Sequence, residues 1–318
     1  MAFLAMALMT STVMSEDQLT MSRYTYLSHL SPLFNYTPLK WDVSLNRHYS
    51  NLSGATVEWY GFANSVEIQG NQSNTEVEVV GAGDDDPDNT MVYRNPQRSL
   101  IAWIVRNGFT GPSENVYNVS ISTNTSTGSY IEFDKAYVLS TVPADESAMY
   151  RDSGLPVAIH QSATDSDFFR DIENAWAVME PPSNQSVGVQ WQDAWGELPT
   201  NGAEFPWDPT VLSTTQVGAP LRFSIPPYTS YLQWDGTVGP DQGRYEFRLI
   251  PTGDKEPQFR PISNNQTYTG ERSVNAINEV KVIAWLDPRC TYDAEIVLLE
   301  EGKRTDLHGI SFWRYTEM

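Results

Sequence analysis

Along residues 218–234, "GAPLRFSIPPYTSYLQW", apolar side chains fall at every second position, Leu221, Phe223 and Ile225, until Pro226 and Pro227 interrupt the alternation. A period of two predicts a half-buried strand, and neither proline can donate to a β-ladder, so the strand must end there. The same alternation predicts strands at 56–60, 65–69 and 76–80, separated by "GFAN" and "GNQSN". Further strands are expected at 99–105, 115–122, 129–139, 244–250, 278–286, 292–299 and 310–315. Short strands at this spacing, without a βαβ rhythm, predict an all-β antiparallel sandwich. Leu221, Phe223 and Ile225 are the expected core of its most regular strand, with Pro226, Pro227 and Tyr228 as its corner. Val280 and Val282 are expected to pair against residues 245–249 or a neighbouring strand. Two later strands also run into a proline, at "RLIPTG" and "WLDPRC", so the three endings are expected to form one edge of the sandwich, where the chain leaves the sheet for end loops.

One segment breaks the period. In "TDSDFFRDIENAWAVMEPP", Phe168, Phe169, Ile172, Trp176 and Met179 recur at helical spacing. Thr164 or Ser166 can cap the start, and Pro181 and Pro182 stop the end, which predicts a short helix. The following stretch, 181–210, holds Trp191, Trp195 and Trp207 and is expected to be an ordered loop.

Composition narrows the classes. The chain has 318 residues, 40% hydrophobic and 12% aromatic, enough for a large core. Its formal net charge of -20 excludes nucleic-acid binding through a basic patch of its own. Cys290 is the only cysteine, so no intrachain disulfide forms. Sequons start at Asn35, Asn51, Asn71, Asn118, Asn124, Asn184 and Asn265, a number in keeping with a chain rich in Asn, Ser and Thr. The apolar start, "MAFLAMALMTSTVM", lacks the basic flank of a signal peptide and is too short to span a membrane; it is expected to be an arm that packs under a neighbouring subunit.

Candidate chemistry is sparse. There is no G-x-S-x-G, no P-loop, no H-E-x-x-H and no C-x-x-C. His29, His48, His160 and His308 are scattered without ligand spacing. Glu132 and Asp134 lie two apart on an expected strand and so share a face, a pattern that glycoside hydrolysis can use but that an outward acidic pair also explains. Asp84, Asp85, Asp86 and Asp88 offer oxygen ligands for calcium but lack the spacing of a known calcium loop. No catalytic, cofactor-binding or metal-binding residue is assigned, and no enzyme is expected.

In order, "FPWDPTVL", "APLRFSIPPYTSYLQW", "GRYEFRLIPTG" and "NEVKVIAWLDPRCTYDAEI" resemble the capsid proteins of picornaviruses and picorna-like viruses, above all the second major subunit, over about residues 205–296. The resemblance rests on the corner at 223–230, the strand ending in proline at 245–251, and the Val-rich strand at 280–295. It implies an eight-stranded jelly roll that tiles an icosahedral shell around an RNA genome. The double proline, where that family commonly has one, and the many strands expected between 50 and 140 depart from the pattern. The implied organisation is an arm over 1–50 and a jelly-roll domain over 51–318 with a surface insertion within 60–140. The implied partners are other capsid subunits, the enclosed RNA and a host receptor or glycan, without a stable membrane anchor. The implied location is the virion, assembled in the host cytoplasm. Two other classes fit the strands and aromatics: a lectin-like carbohydrate-binding sandwich, and a sandwich-fold glycosidase in which Glu132→Gln abolishes hydrolysis.

Overall fold

Two long strands organise the first half of the chain. The computed structural model describes residues 20–44, 46–62, 65–82, 90–94, 100–105, 116–143, 157–162, 177–179, 186–187, 211–257 and 266–314. The stretches at 65–69 and 76–80 join into one strand, β6 (Ser65–Ala82), and those at 115–122 and 129–139 join into β9 (Val116–Pro143). The polar segments between them do not turn. Register shifts at Gln69/Gly70 and Ser73/Thr75 absorb the irregular residues as bulges while the ladder between β6 and β9 continues on both sides. A polar residue on an outward face leaves a strand intact as long as its backbone is paired.

Around this pair lie β1 (Thr20–Ser28), β2 (Phe34–Tyr36), β3 (Asp42–Val43), β4 (His48–Ser50), β5 (Thr56–Phe62), β7 (Thr90–Arg94) and β8 (Leu100–Val105), nine strands in one sheet. The described part of the segment expected as an arm, 20–50, thus supplies four of these strands. β1 pairs with β9 from Thr20↔Pro143 to Ser28↔Lys135.

The second half forms the sandwich. β10 (Val157–Ser162), β21 (Gly309–Arg314), β15 (Thr229–Val238), β18 (Ala276–Trp285) and β12 (Ser186–Val187) make one sheet in that order. β14 (Pro220–Ser224), β19 (Tyr292–Leu298), β16 (Arg244–Pro251) and β17 (Gln266–Thr269) make the facing sheet. Aromatic rings join the two: Trp234 meets Tyr245 at 4.8 Å and Phe247 at 6.3 Å, and Phe223 meets Phe312 at 6.3 Å. A three-stranded sheet of β11 (Ala177–Met179), β13 (Val211–Thr214) and β20 (Thr305–Leu307) completes the described strands. Every strand pairing is antiparallel except that of β12 with β18.

The fold is the all-β antiparallel sandwich that the alternation predicts. Leu221, Phe223 and Ile225 are buried in one continuous apolar cluster that also takes in Leu27, Phe34, Ile131 and Phe133 from the first sheet. Pro226 and Pro227 lie where the chain passes from the four-stranded sheet to the five-stranded one. Tyr228 takes a left-handed conformation there (φ 64°), and the Thr229 hydroxyl donates to Pro226 O at 2.6 Å. The three proline-marked endings gather at one end of the sandwich, on strands of which β16 and β18 are interior to their sheets: the Ile225 amide donates to Tyr292 O, Pro251 faces Tyr292 in register, and Pro288 lies in the turn just before it. Val280 and Val282 pair with β15, opposite Asp235 and Trp234, while 245–249 sits in the facing sheet. The helix expected at 164–182 is corrected at its end. Residues 177–179 are strand, paired with Val211–Ser213, because tertiary pairing of an Ala-Val-Met segment overrides its helical spacing. The rest of that segment lies outside the described residues. Among the described residues there is no helix.

A polar seam locks the first sheet to the sandwich. Arg272 is buried, and its guanidinium donates to Leu30 O (2.9 Å), Ser31 O (2.8 Å), Phe34 O (3.1 Å) and Glu271 O (2.8 Å). Ser31 Oγ donates to Val280 O at 2.6 Å, and Ser28 Oγ donates to the Glu279 carboxylate. Burial pushes the Glu279 carboxyl up to about 7, against the pull of Ser28 and Arg272.

Candidate functional site

The outward face of β9 brings tyrosine rings, carboxylates, an arginine, an asparagine and a lysine together. Ile131 and Phe133 point into the core, so Tyr130 and Glu132 point to the other face, where Tyr130 is half-buried and Glu132 is buried beneath its neighbours. β4 matches this: His48 and Ser50 are buried opposite Phe133 and Ile131, and Tyr49 lies opposite Glu132. The rings of Tyr49 and Tyr130 stack at 5.8 Å with planes 29° apart, and both are half-buried. Glu132 is held from two sides. Arg47 Nη1 pairs with Oε1 at 2.6 Å, and Asn71 Nδ2 donates to Oε2 at 3.0 Å.

A bulge extends the strip. Between inward-facing Phe133 and Ala136 lie two residues, Asp134 and Lys135, where the register with β6 shifts. Burial raises the Asp134 carboxyl above the usual range, and the nearby Glu132 raises it further. Lys135 Nζ lies 5.5 Å from the Tyr137 ring centre and 6.0 Å from that of Tyr26, and these two rings meet edge to face at 5.7 Å. Two tyrosine pairs therefore flank a row of fixed carboxylate, guanidinium, amide and ammonium groups.

Glu132 and Asp134 are thus neighbours, as their spacing predicts, but Glu132 is not presented as an acid or a nucleophile, because each of its oxygens already accepts from a cation or an amide. Arg47 and Tyr49 carry no signal in the sequence and Asn71 only that of a sequon, since sheet register alone brings them to 130–132. The alternation of "SYIEF" gives Tyr130 and Glu132 one side and nothing more.

Two of the scattered histidines meet. His29 Nδ1 and His48 Nδ1 lie 2.8 Å apart, and Tyr36 stacks on the His48 ring at 3.7 Å. Burial, then His29 and Arg272, holds His48 down at about 2, so it is a neutral packing residue. His308 is buried, with Nε2 3.3 Å from Thr237 Oγ1, and His160 lies on β10. Among the described residues no group of three or more His, Cys, Asp or Glu side chains can hold a metal ion. Asp84, Asp85, Asp86 and Asp88 lie outside the described residues, as do Trp191, Trp195 and Trp207. Trp234, Trp285 and Trp313 are buried in the core. Asn35, Asn51 and Asn71 are exposed. Among the described residues no helix is long and apolar enough to cross a membrane.

No family model and no curated protein matches the chain. Solved structures give distant likenesses. A family two carbohydrate esterase from Cellvibrio japonicus is 10% identical with a TM-score of 0.31, over 39% of this chain and 36% of the esterase chain. A CBM22 tandem domain from Paenibacillus barcinonensis is 8% identical with a TM-score of 0.23, over 91% of this chain and 97% of that one. Hazelnut (Corylus avellana) vicilin is 6% identical with a TM-score of 0.15, over 90% and 86%. TM-scores this low define no common fold.

Proposed function

We propose that the chain is a non-catalytic β-sandwich that binds neutral carbohydrate on the outward face of β9. The reading is carried by the Tyr49–Tyr130 pair standing beside the fixed Arg47–Glu132–Asn71 array. A sugar ring presents an apolar C–H face and a rim of hydroxyls. Tyrosine rings take the first, and planar groups held in place take the second without an ordering cost at binding. The net charge of -20 disfavours sulfated or uronic glycans, which selects neutral ones. The engagement of both Glu132 oxygens favours binding over hydrolysis.

The capsid-subunit reading, with its shell partners, enclosed RNA and location in the virion, rests on the resemblance at about residues 205–296 and is the rival proposal. One experiment separates them. The full-length protein is applied to an array of neutral and sulfated glycans, and the same preparation is imaged by negative-stain microscopy. Retention on neutral glycans, lost in the Tyr49→Ala/Tyr130→Ala double variant, is the expected result. Shells together with an unlabelled array would overturn it, and a monomer that labels no glycan would do the same.

A further inference from the structure

The most unusual chemistry lies away from this face, in the core of the sandwich. Lys281 on β18 is fully buried, and so is Asp306 on β20. Lys281 Nζ lies over the rings of both Trp234 and Tyr245, 4.9 Å and 4.7 Å from their centres, and 3.8 Å from Asp306 Oδ1. It also donates to Thr305 Oγ1 at 3.0 Å, Asp306 O at 3.2 Å and Gln242 Oε1 at 3.4 Å. The Asp306 carboxyl is gripped at both oxygens, Oδ1 by the Thr237 amide at 2.7 Å and Oδ2 by Gln242 Nε2 at 2.7 Å, with Arg304 Nη2 3.9 Å from Oδ2. Gly236 makes the approach feasible. A Cβ there would stand 2.5 Å from Lys281 Cδ and 2.7 Å from Asp306 O, so no side chain fits between the two strands.

We propose that Lys281 and Asp306 condense into an intramolecular amide that staples β18 to β20. Each requirement of that reaction has a residue. Burial lowers the lysine to about 8 against the pull of Asp306, so the free amine is accessible near neutral pH. Holding the two groups 3.8 Å apart in one chain replaces a bimolecular encounter by an intramolecular one. Gln242 Nε2 and Arg304 are already aimed at Oδ2, the oxygen on which charge develops as the tetrahedral adduct forms, while the Thr237 amide holds Oδ1, the oxygen that leaves.

The step balances without an outside reagent. A proton passes from the ammonium to Oδ1, and the neutral Nζ adds to Asp306 Cγ. A second proton follows to Oδ1, the Cγ–Oδ1 bond breaks and water leaves. One C–N bond forms, one C–O bond breaks, one N–H remains on the amide, and nothing is oxidised or reduced. Two opposite charges in an apolar core are replaced by one neutral amide, which removes their desolvation cost.

Peptide mapping of the full-length protein, purified and then denatured, tests this directly. With the amide in place, trypsin cannot cut after Lys281, so residues 273–289 appear joined to 305–314 at a mass one water below the sum of the two. The Lys281→Arg variant, if it folds, gives separate peptides. The wild-type digest decides alone if the variant does not fold: free 273–281 and 282–289 peptides with an unmodified 305–314 would overturn the proposal and leave a plain ion pair.

Discussion

Two arginines show how differently this molecule uses one side chain. Arg272 is buried in the seam and spends its donors on main-chain carbonyls from the loop after β1 and the first residue of β2. Arg47 stands half-exposed on the outward face, with Glu132 on one side and the tyrosine pair next to it. A desolvated guanidinium costs stability unless every donor is used, so Arg272 can only be structural. A half-exposed one keeps donors and hydration to exchange with a ligand. The contrast locates function by asking which polar groups still have something to offer.

The largest effect is expected from Arg272→Met. It strands the carbonyls of Leu30, Ser31 and Phe34 and should cost about 3–5 kcal/mol in urea unfolding. A loss below about 1 kcal/mol would mean that the seam is not stabilising, and the comparison would collapse. Next comes pH. Glu279 has a folded value raised to about 7 from 4.5, so its neutral form contributes stability that is full below 4.5 and is lost as pH rises through 7. The shift corresponds to about 3 kcal/mol as an upper bound. His48 works the other way: lowered from 6.5 to about 2, it contributes stability present above 6.5 and lost as pH falls towards 2. Unfolding midpoints against pH should show Glu279→Gln flattening the decline between 4.5 and 7, and His48→Gln flattening the acid limb. If both variants keep the wild-type profile, neither group is coupled to folding.

Smaller effects test the other arginine. The Tyr49→Ala/Tyr130→Ala pair should weaken binding of the array-selected glycan by about tenfold or more in calorimetry, equivalent to about 1.4 kcal/mol. Its unfolding free energy should move by only about 1 kcal/mol, since neither ring is core. Last, Arg47→Ala, which leaves the buried Glu132 carboxylate to Asn71 alone, should cost about 1 kcal/mol of stability and lower glycan affinity by more than that. Equal losses of stability and affinity in this variant would place Arg47 with Arg272.

These contrasts also mark what was legible beforehand. Where apolar alternation is strong and runs into proline, as at 220–225 and 244–250, strand and burial can both be read directly. "GNQSN" reads as a turn because a polar run in a strand and a polar run in a loop have the same composition; only the ladder between β6 and β9 separates them. The helix spacing at 164–182 failed at 177–179 for a related reason, a strand partner in β13 that local periodicity does not reveal. The face at Tyr49 and Tyr130 was hidden more deeply. Its residues come from three strands, one of them only His48–Ser50, and no local pattern records which strands lie side by side.

The seam also imposes an order in time. Its hydrogen bonds join residues 28–34 to residues 272–280, with Ser28 reaching Glu279 and Arg272 reaching Leu30. Contacts of such long sequence separation form late, since the intervening chain must close first. On the ribosome, β1 can pair with β9 long before Arg272 is synthesised, and during that interval the core side of the first sheet has no partner. A chaperone that holds this surface, or slow translation before residue 280, would therefore govern the yield of folded protein more than any single core contact.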